Sequence, residues 1–196
     1  MDFKTRAAAY LEEAGSTLRS IPTEVLDKIF SILCEAYRQD RQVLLMGNGG
    51  SAALASHFAV DLGKGTVAPD RRRFRVVSLV DNTPVMTAYA NDFSYADVFS
   101  EQIRSLAKPG DVVFGISGSG NSPNVLNGLK AAREMGAVTV VLTGYKGGKA
   151  IDLADVTLVV PSNDMQHIED CHLMVTHLYM QAMSEYVRQS PPAHFA

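Results

Sequence analysis

The chain is short of cysteine, of proline, of charge of either sign and of long apolar runs. Its only two cysteines, Cys34 and Cys171, fall inside helix-like apolar patterns, which gives no support to a disulfide framework or a cysteine-ligated zinc site and fits a reducing compartment. With 8 prolines, 15 glycines, 46% hydrophobic and 20% charged residues, collagen-like, low-complexity and wholly disordered readings fall away. The formal net charge is −3, so no nucleic-acid partner is expected, because a duplex-binding face must neutralise several phosphates. The one basic run, Arg71 to Arg73 with Arg75, reads as a solvated edge. No stretch approaches the roughly 20 apolar residues of a membrane span. Glu12 and Glu13 interrupt the stretch 7–11 before a signal-peptide core forms, so a cytoplasmic protein without membrane contact is expected.

What is present fits one domain over residues 1–196. Helical periodicity covers 3–19 and 23–39, separated by Ser20-Ile21-Pro22, and predicts a helical hairpin over 1–40. Beyond it, short runs rich in Val, Ile and Leu at 43–46, 74–80, 112–116, 138–143 and 156–160 alternate with helical stretches at 51–62, 84–90, 95–106, 122–135 and 150–153. Continuous apolar strands between helices indicate a parallel sheet covered on both faces, since a sheet with one wet face would alternate. The expected fold class is therefore α/β, a three-layer α/β/α sandwich with a five-stranded parallel sheet over 41–162. A long helix at 163–189 and a tail at 190–196 complete the chain.

Two strand-to-helix junctions are rich in small residues: Gly47-Asn48-Gly49-Gly50-Ser51 and Ser117-Gly118-Ser119-Gly120-Asn121-Ser122. At the carboxyl ends of parallel strands such loops let backbone N–H groups and hydroxyls approach an anion, helped by the partial positive charge of the following helix. Neither loop matches GxGxxG or GxxxxGK[ST], so no nucleotide cofactor is expected. The plainer alternative is that these residues only make tight turns, with Ser51 and Ser122 as helix caps. Two such loops on one small sheet favour a phosphate monoester as ligand. Among titratable residues, His57 and Asp61 are four apart and about 40° apart on a helix, so they share a face. On the last helix, Glu169 can share a site with His172 (about −60°) or with His177 (about +80°), but the two histidines should not both reach it. His172 reads as a packed helix residue, and His167 and His194 as surface residues.

The segments GNGGSAA at 47–53, HFAVDL at 57–62, ANDF at 90–93, GISGSGNSPNV at 115–125 and LTGYKGG at 142–148 resemble the sugar isomerase (SIS) domain family, and within it the phosphoheptose isomerases, along nearly the whole chain. The resemblance implies an aldose–ketose isomerase that converts sedoheptulose 7-phosphate to D-glycero-D-manno-heptose 7-phosphate through an enediol. It also implies a homotetramer whose sites lie at subunit contacts. By that analogy Ser51, Ser117, Ser119 and Ser122 bind the phosphate together with Gly49, Gly50 and Gly118 of the same loops. Asn48, Asn91, Asp92 and Glu169 would line the sugar pocket, and Asp61 and His177 would be the catalytic acid/base pair. Some members bind Zn²⁺ at the positions of His57, Asp61, Glu169 and His177. Four residues depart from the family pattern: Asp61 stands for the usual Glu, Glu169 for Gln, Gln166 where an acid is common, and Gly118 for Thr. Two other readings stay open, a noncatalytic SIS regulator that associates with a replication initiator, and an isomerase for another phosphosugar.

Overall fold

The computed structural model describes residues 2–192. Strands β1 (Gln42–Gly47), β2 (Arg75–Ser78), β3 (Val112–Ile116), β4 (Val138–Thr143) and β5 (Val156–Val159) form one parallel sheet in the order β2-β1-β3-β4-β5. Seven α-helices are found among the described residues. They are α1 (Phe3–Arg19), α2 (Thr23–Arg38), α3 (Gly50–Val60), α4 (Thr83–Asp92), α5 (Ser100–Leu106), α6 (Pro123–Glu134) and α7 (Met165–Gln189).

The alternation of strand side chains explains the three layers. Val43 and Leu45 of β1, Phe114 and Ile116 of β3 and Leu142 of β4 join one core, which α2, α3 and α7 cover. The intervening residues Leu44, Met46, Val113 and Val141 join a second core under α5 and α6. Because both faces are buried, the strands show no polar alternation in sequence. The sheet order reverses between β1 and β3, and the loops leaving these two strands open a crevice at their carboxyl ends, where ligands bind in open α/β sheets.

Local structure departs from expectation in ways that trace to packing. The predicted strand at 74–80 shortens to Arg75–Ser78, because Phe74 turns into the core beside Tyr37, with ring centroids 5.7 Å apart. The helix expected at 51–62 ends at Val60 and continues as a π-helical turn, Asp61–Gly65. The stretch 95–106 divides into a 3-10 turn, Tyr95–Asp97, and α5, and the helix expected at 150–153 is replaced by a 3-10 turn, Gly148–Asp152, that Leu153 ends. The basic run lies at the edge strand with Arg73 and Arg75 exposed, as expected, but three of its arginines are also tied to backbone carbonyls. Arg72 donates to the carbonyls of Tyr37 and Arg38, Arg75 to that of Asp40 and Arg71 to that of Arg188. These arginines satisfy carbonyls that the ends of α2 and α7 leave open.

Cys34 and Cys171 are unpaired and lie on α2 and α7. Among the described residues, no helix is long and apolar enough to cross a membrane. Helix α1 has no buried residue, and α7 leaves Leu173, Met174 and Leu178 exposed while burying Val175, Tyr179 and Met183.

Candidate functional site

The first part of the site is a cavity of about 140 Å³ lined by Asn48, Ser51, Ser117, Gly118, Ser119, Ser122, Met165 and Glu169. It brings together both small-residue loops and the start of α7. The hydroxyls are not spent on capping. Gly49 is the residue before α3, Ser51 lies inside that helix, and Ser122 precedes α6 without a side-chain capping bond. The Oγ atoms of Ser117 and Ser122 are 3.3 Å apart. A Cβ on Gly47 would fall 2.6 Å from the carbonyl oxygen of Ser51, so only glycine lets α3 start this close to the strand end. At Gly118 a Cβ would lie 2.5 Å from Met165 Sδ, so the thioether fills the space that a larger loop residue would need.

The second part is a cavity of about 320 Å³ lined by Gly50, Ser51, Ala53, Leu54, His57, Glu169, Asp170, His172 and Leu173. It shares Ser51 and Glu169 with the first and reaches His57. Glu169 stands between the two, and its Oε1 would be 2.9 Å from a Cβ on Gly50, at the amino end of α3.

The third part lies around Asp61. His57 on α3 and His177 on α7 place their Nε2 atoms 2.9 Å apart. Asp61 Oδ2 is 3.5 Å from the first and 3.9 Å from the second, and it is buried without a hydrogen-bond partner. Three donor atoms that converge within 4.8 Å and leave one carboxylate oxygen unsatisfied form a candidate metal centre. Glu169 is outside this group, two helical turns before His177, so the structure brings together three of the four positions expected to hold a metal.

The remaining expectations divide. His172 is buried, as read; its Nε2 bonds the carbonyl of Thr143 at 3.0 Å, and burial lowers its pKa to about 4, so the ring is neutral. His167 is not a surface residue. It is 4% exposed under the ring of Tyr10, whose centroid is 4.5 Å away, a contact supplied by α1. His194 lies outside the described residues. Asn91 and Asp92 are exposed at the end of α4 and bond each other, and neither lines these two cavities of the single chain. Sequence reasoning missed Asn124, which is 2% exposed and pairs with Asn48, and Tyr95, which bonds the same side chain. The run GNSPNV held the first of these in plain view but offered no sign of its partner.

A sequence profile of the SIS domain matches residues 9–144. The phosphoheptose isomerase of Aliarcobacter butzleri (strain RM4018) is 45% identical over 158 residues, covering 81% of this chain and 83% of that protein. The phosphoheptose isomerase of Aquifex aeolicus (strain VF5) is 40% identical, with the same coverage, 81% and 83%. Among solved structures, phosphoheptose isomerase GmhA from Neisseria gonorrhoeae superposes with a TM-score of 0.87 at 33% identity, covering 94% of this chain and 100% of that one. A phosphoheptose isomerase from Francisella tularensis, 23% identical, shares the fold with a TM-score of 0.86.

Proposed function

This chain belongs to the SIS domain family, and from that premise we propose that it is a phosphoheptose isomerase, converting sedoheptulose 7-phosphate to D-glycero-D-manno-heptose 7-phosphate. The observation that carries the reading is the placement of a hydroxyl-lined cavity and a His–Asp–His cluster at two ends of one crevice, joined by a cavity that shares residues with both. An open-chain sugar phosphate fits that layout, with its phosphate among Ser51, Ser117, Ser119 and Ser122 and its reacting carbons beside Asp61 and His177.

The chemistry moves one proton between neighbouring carbons and one between their oxygens. Asp61 Oδ2, free of hydrogen bonds, accepts the C1 proton of the ketose, leaving an enediol, and returns a proton to C2. His177 exchanges the proton between the two oxygens, which an imidazole can do because one ring nitrogen donates while the other accepts. Leu54, Leu173 and Ala53 line the apolar side of the connecting cavity, where they limit water around the enediol.

Zn²⁺ suits the cluster. Tetrahedral zinc with bonds of roughly 2.0–2.1 Å sets its ligand atoms about 3.3–3.4 Å apart, and the three separations here are 2.9, 3.5 and 3.9 Å. His57, Asp61 and His177 would hold it, with a position left open, and a bound zinc would supply Lewis-acid polarisation of the sugar oxygens. The exposed apolar residues Leu173, Met174 and Leu178 of α7, together with Phe3 and Leu11 of α1, support a homotetramer, in which Asn91 and Asp92 could serve a neighbouring site. A cytoplasmic location accords with the free cysteines.

Incubation with sedoheptulose 7-phosphate in D₂O, followed by NMR, tests the reading: aldose formation with deuterium at C2 is expected. Absence of both, with and without Zn²⁺, would sink it. A panel of pentose, hexose and heptose phosphates compared by kcat/KM separates this substrate from shorter sugars. The regulator reading predicts catalytic silence, and the retained Asp61 and His177 count against it.

A further inference from the structure

Asn48 lines the proposed phosphate cavity, and its amide is held by a chain of bonds with a defined direction. The backbone N–H of Val125 donates to Asn124 Oδ1 at 3.0 Å, which identifies that atom as oxygen, since a backbone N–H cannot accept. Asn124 Nδ2 therefore faces Asn48 Oδ1, at 2.9 Å, and Asn48 Nδ2 returns a bond to Asn124 Oδ1 at 2.8 Å. The Tyr95 hydroxyl donates to Asn48 Oδ1 at 2.9 Å. Both acceptor sites of Asn48 Oδ1 are thus filled and one of its two amide hydrogens is used. Its remaining capacity is a single N–H. Asn124 is 2% exposed and wedged at the first turn of α6, so the pair cannot rotate together without breaking the Val125 bond.

We propose that Asn124 and Tyr95 are positioning residues that fix Asn48 as a one-way hydrogen-bond donor to the phosphate monoester of the substrate. The inference rests on the reading of the cavity at Ser117 to Ser122 as the phosphate site. An amide free to flip also populates the orientation that offers its oxygen, which an anion repels, and binding must then select the other one. Here the flip is prevented through Asn124, 76 residues away in sequence from Asn48, whose own oxygen is fixed by the Val125 N–H. Neither positioning residue touches the ligand; both act through Asn48.

The test is a double-mutant cycle on the full chain with inorganic phosphate as the probe, titrated by calorimetry or ³¹P NMR. Asn48→Ala should weaken phosphate about tenfold, the loss of one hydrogen bond to a charged group, and Tyr95→Phe about threefold. In the Asn48→Ala background, neither Tyr95→Phe nor Asn124→Ala should weaken it further. KM for sedoheptulose 7-phosphate should follow the same pattern. Tyr95 is 58% exposed, so its variant carries the test even if Asn124→Ala fails to fold. A threefold loss that persists in the Asn48→Ala background overturns the proposal, because the hydroxyl would then act independently of Asn48. No loss from Tyr95→Phe in the wild-type background overturns it as well. Protein that shows the predicted cycle yet leaves the sugar unconverted keeps this inference and rejects the isomerase; protein that converts the sugar with additive losses does the reverse.

Discussion

His57 and His177 face each other through their Nε2 atoms at 2.9 Å, across two helices that are 120 residues apart in sequence. Two imidazole lone pairs at that distance repel, so one ring must donate a proton to the other or both must share a cation. The adjacent Asp61 Oδ2, buried and unpartnered, adds an oxygen donor that converges on the same point as the two nitrogens.

Zinc should therefore stabilise the protein. At free Zn²⁺ about 100-fold above its Kd, the gain is about 2.7 kcal/mol, read as a rise in Tm. Mg²⁺, which prefers oxygen ligands, should give no comparable rise. His57→Ala and His177→Ala should each remove most of the zinc effect, whereas Glu169→Gln, outside the cluster, should keep it. An equal rise in wild type and His177→Ala would place the ion elsewhere.

Asp61→Asn should separate activity from folding. Isomerisation and deuterium exchange are expected to fall by about 10²- to 10⁴-fold, the usual contribution of a positioned base. Thermal stability should hold or improve, since the variant removes a buried carboxylate oxygen that has no hydrogen bond. A variant with a tenth or more of the wild-type rate would remove Asp61 from the role of base.

His172 carries a pH dependence of its own. Burial lowers its folded pKa to about 4 from the usual imidazole value of about 6.5, so the unfolded chain takes up this proton first as pH falls. Stability from this residue is full above pH 6.5 and is lost as pH drops from 6.5 to about 4, by an amount on the order of 3 kcal/mol. Denaturant unfolding across that range should show a shallower slope in His172→Gln than in wild type. Parallel curves would refute the assignment.

How much could be read from the chain alone depended on how local the cause was. The strands and the two small-residue loops were legible because the hydrophobic runs and the Gly and Ser clusters are contiguous. His57 and Asp61 were legible as neighbours because one helical turn relates them. What stayed hidden depends on contacts distant in sequence. His167 is buried by Tyr10 of α1, and Arg72 finds its acceptors at the end of α2. Asn48 and Asn124 are 76 residues apart, on the two loops that β1 and β3 bring side by side. Gly118, which looked like a loss from the phosphate loop, leaves the space that Met165 fills.

The apolar stripe of α7 invites a direct experiment. Leu178 is 48% exposed and Met174 51%. Replacing either with Glu should break the proposed homotetramer into smaller species by light scattering and lower activity with it. A wild-type protein that already runs as a monomer and remains active would refute the assembly.

The loop proposed to hold the phosphate is also held from behind. A Cβ on Gly120 would lie 2.0 Å from the carbonyl oxygen of Gly147, and one on Gly148 2.4 Å from that of Ser119, so the loop after β3 and the turn after β4 touch backbone to backbone. The turn at 144–148 is thus a splint. The hydroxyls proposed to hold the phosphate ride on a backbone that Gly120 and Gly148 lock against its neighbour, so this end of the crevice tolerates little change of backbone shape. New substrates for this architecture should differ in the body of the sugar and keep the phosphate as a common handle.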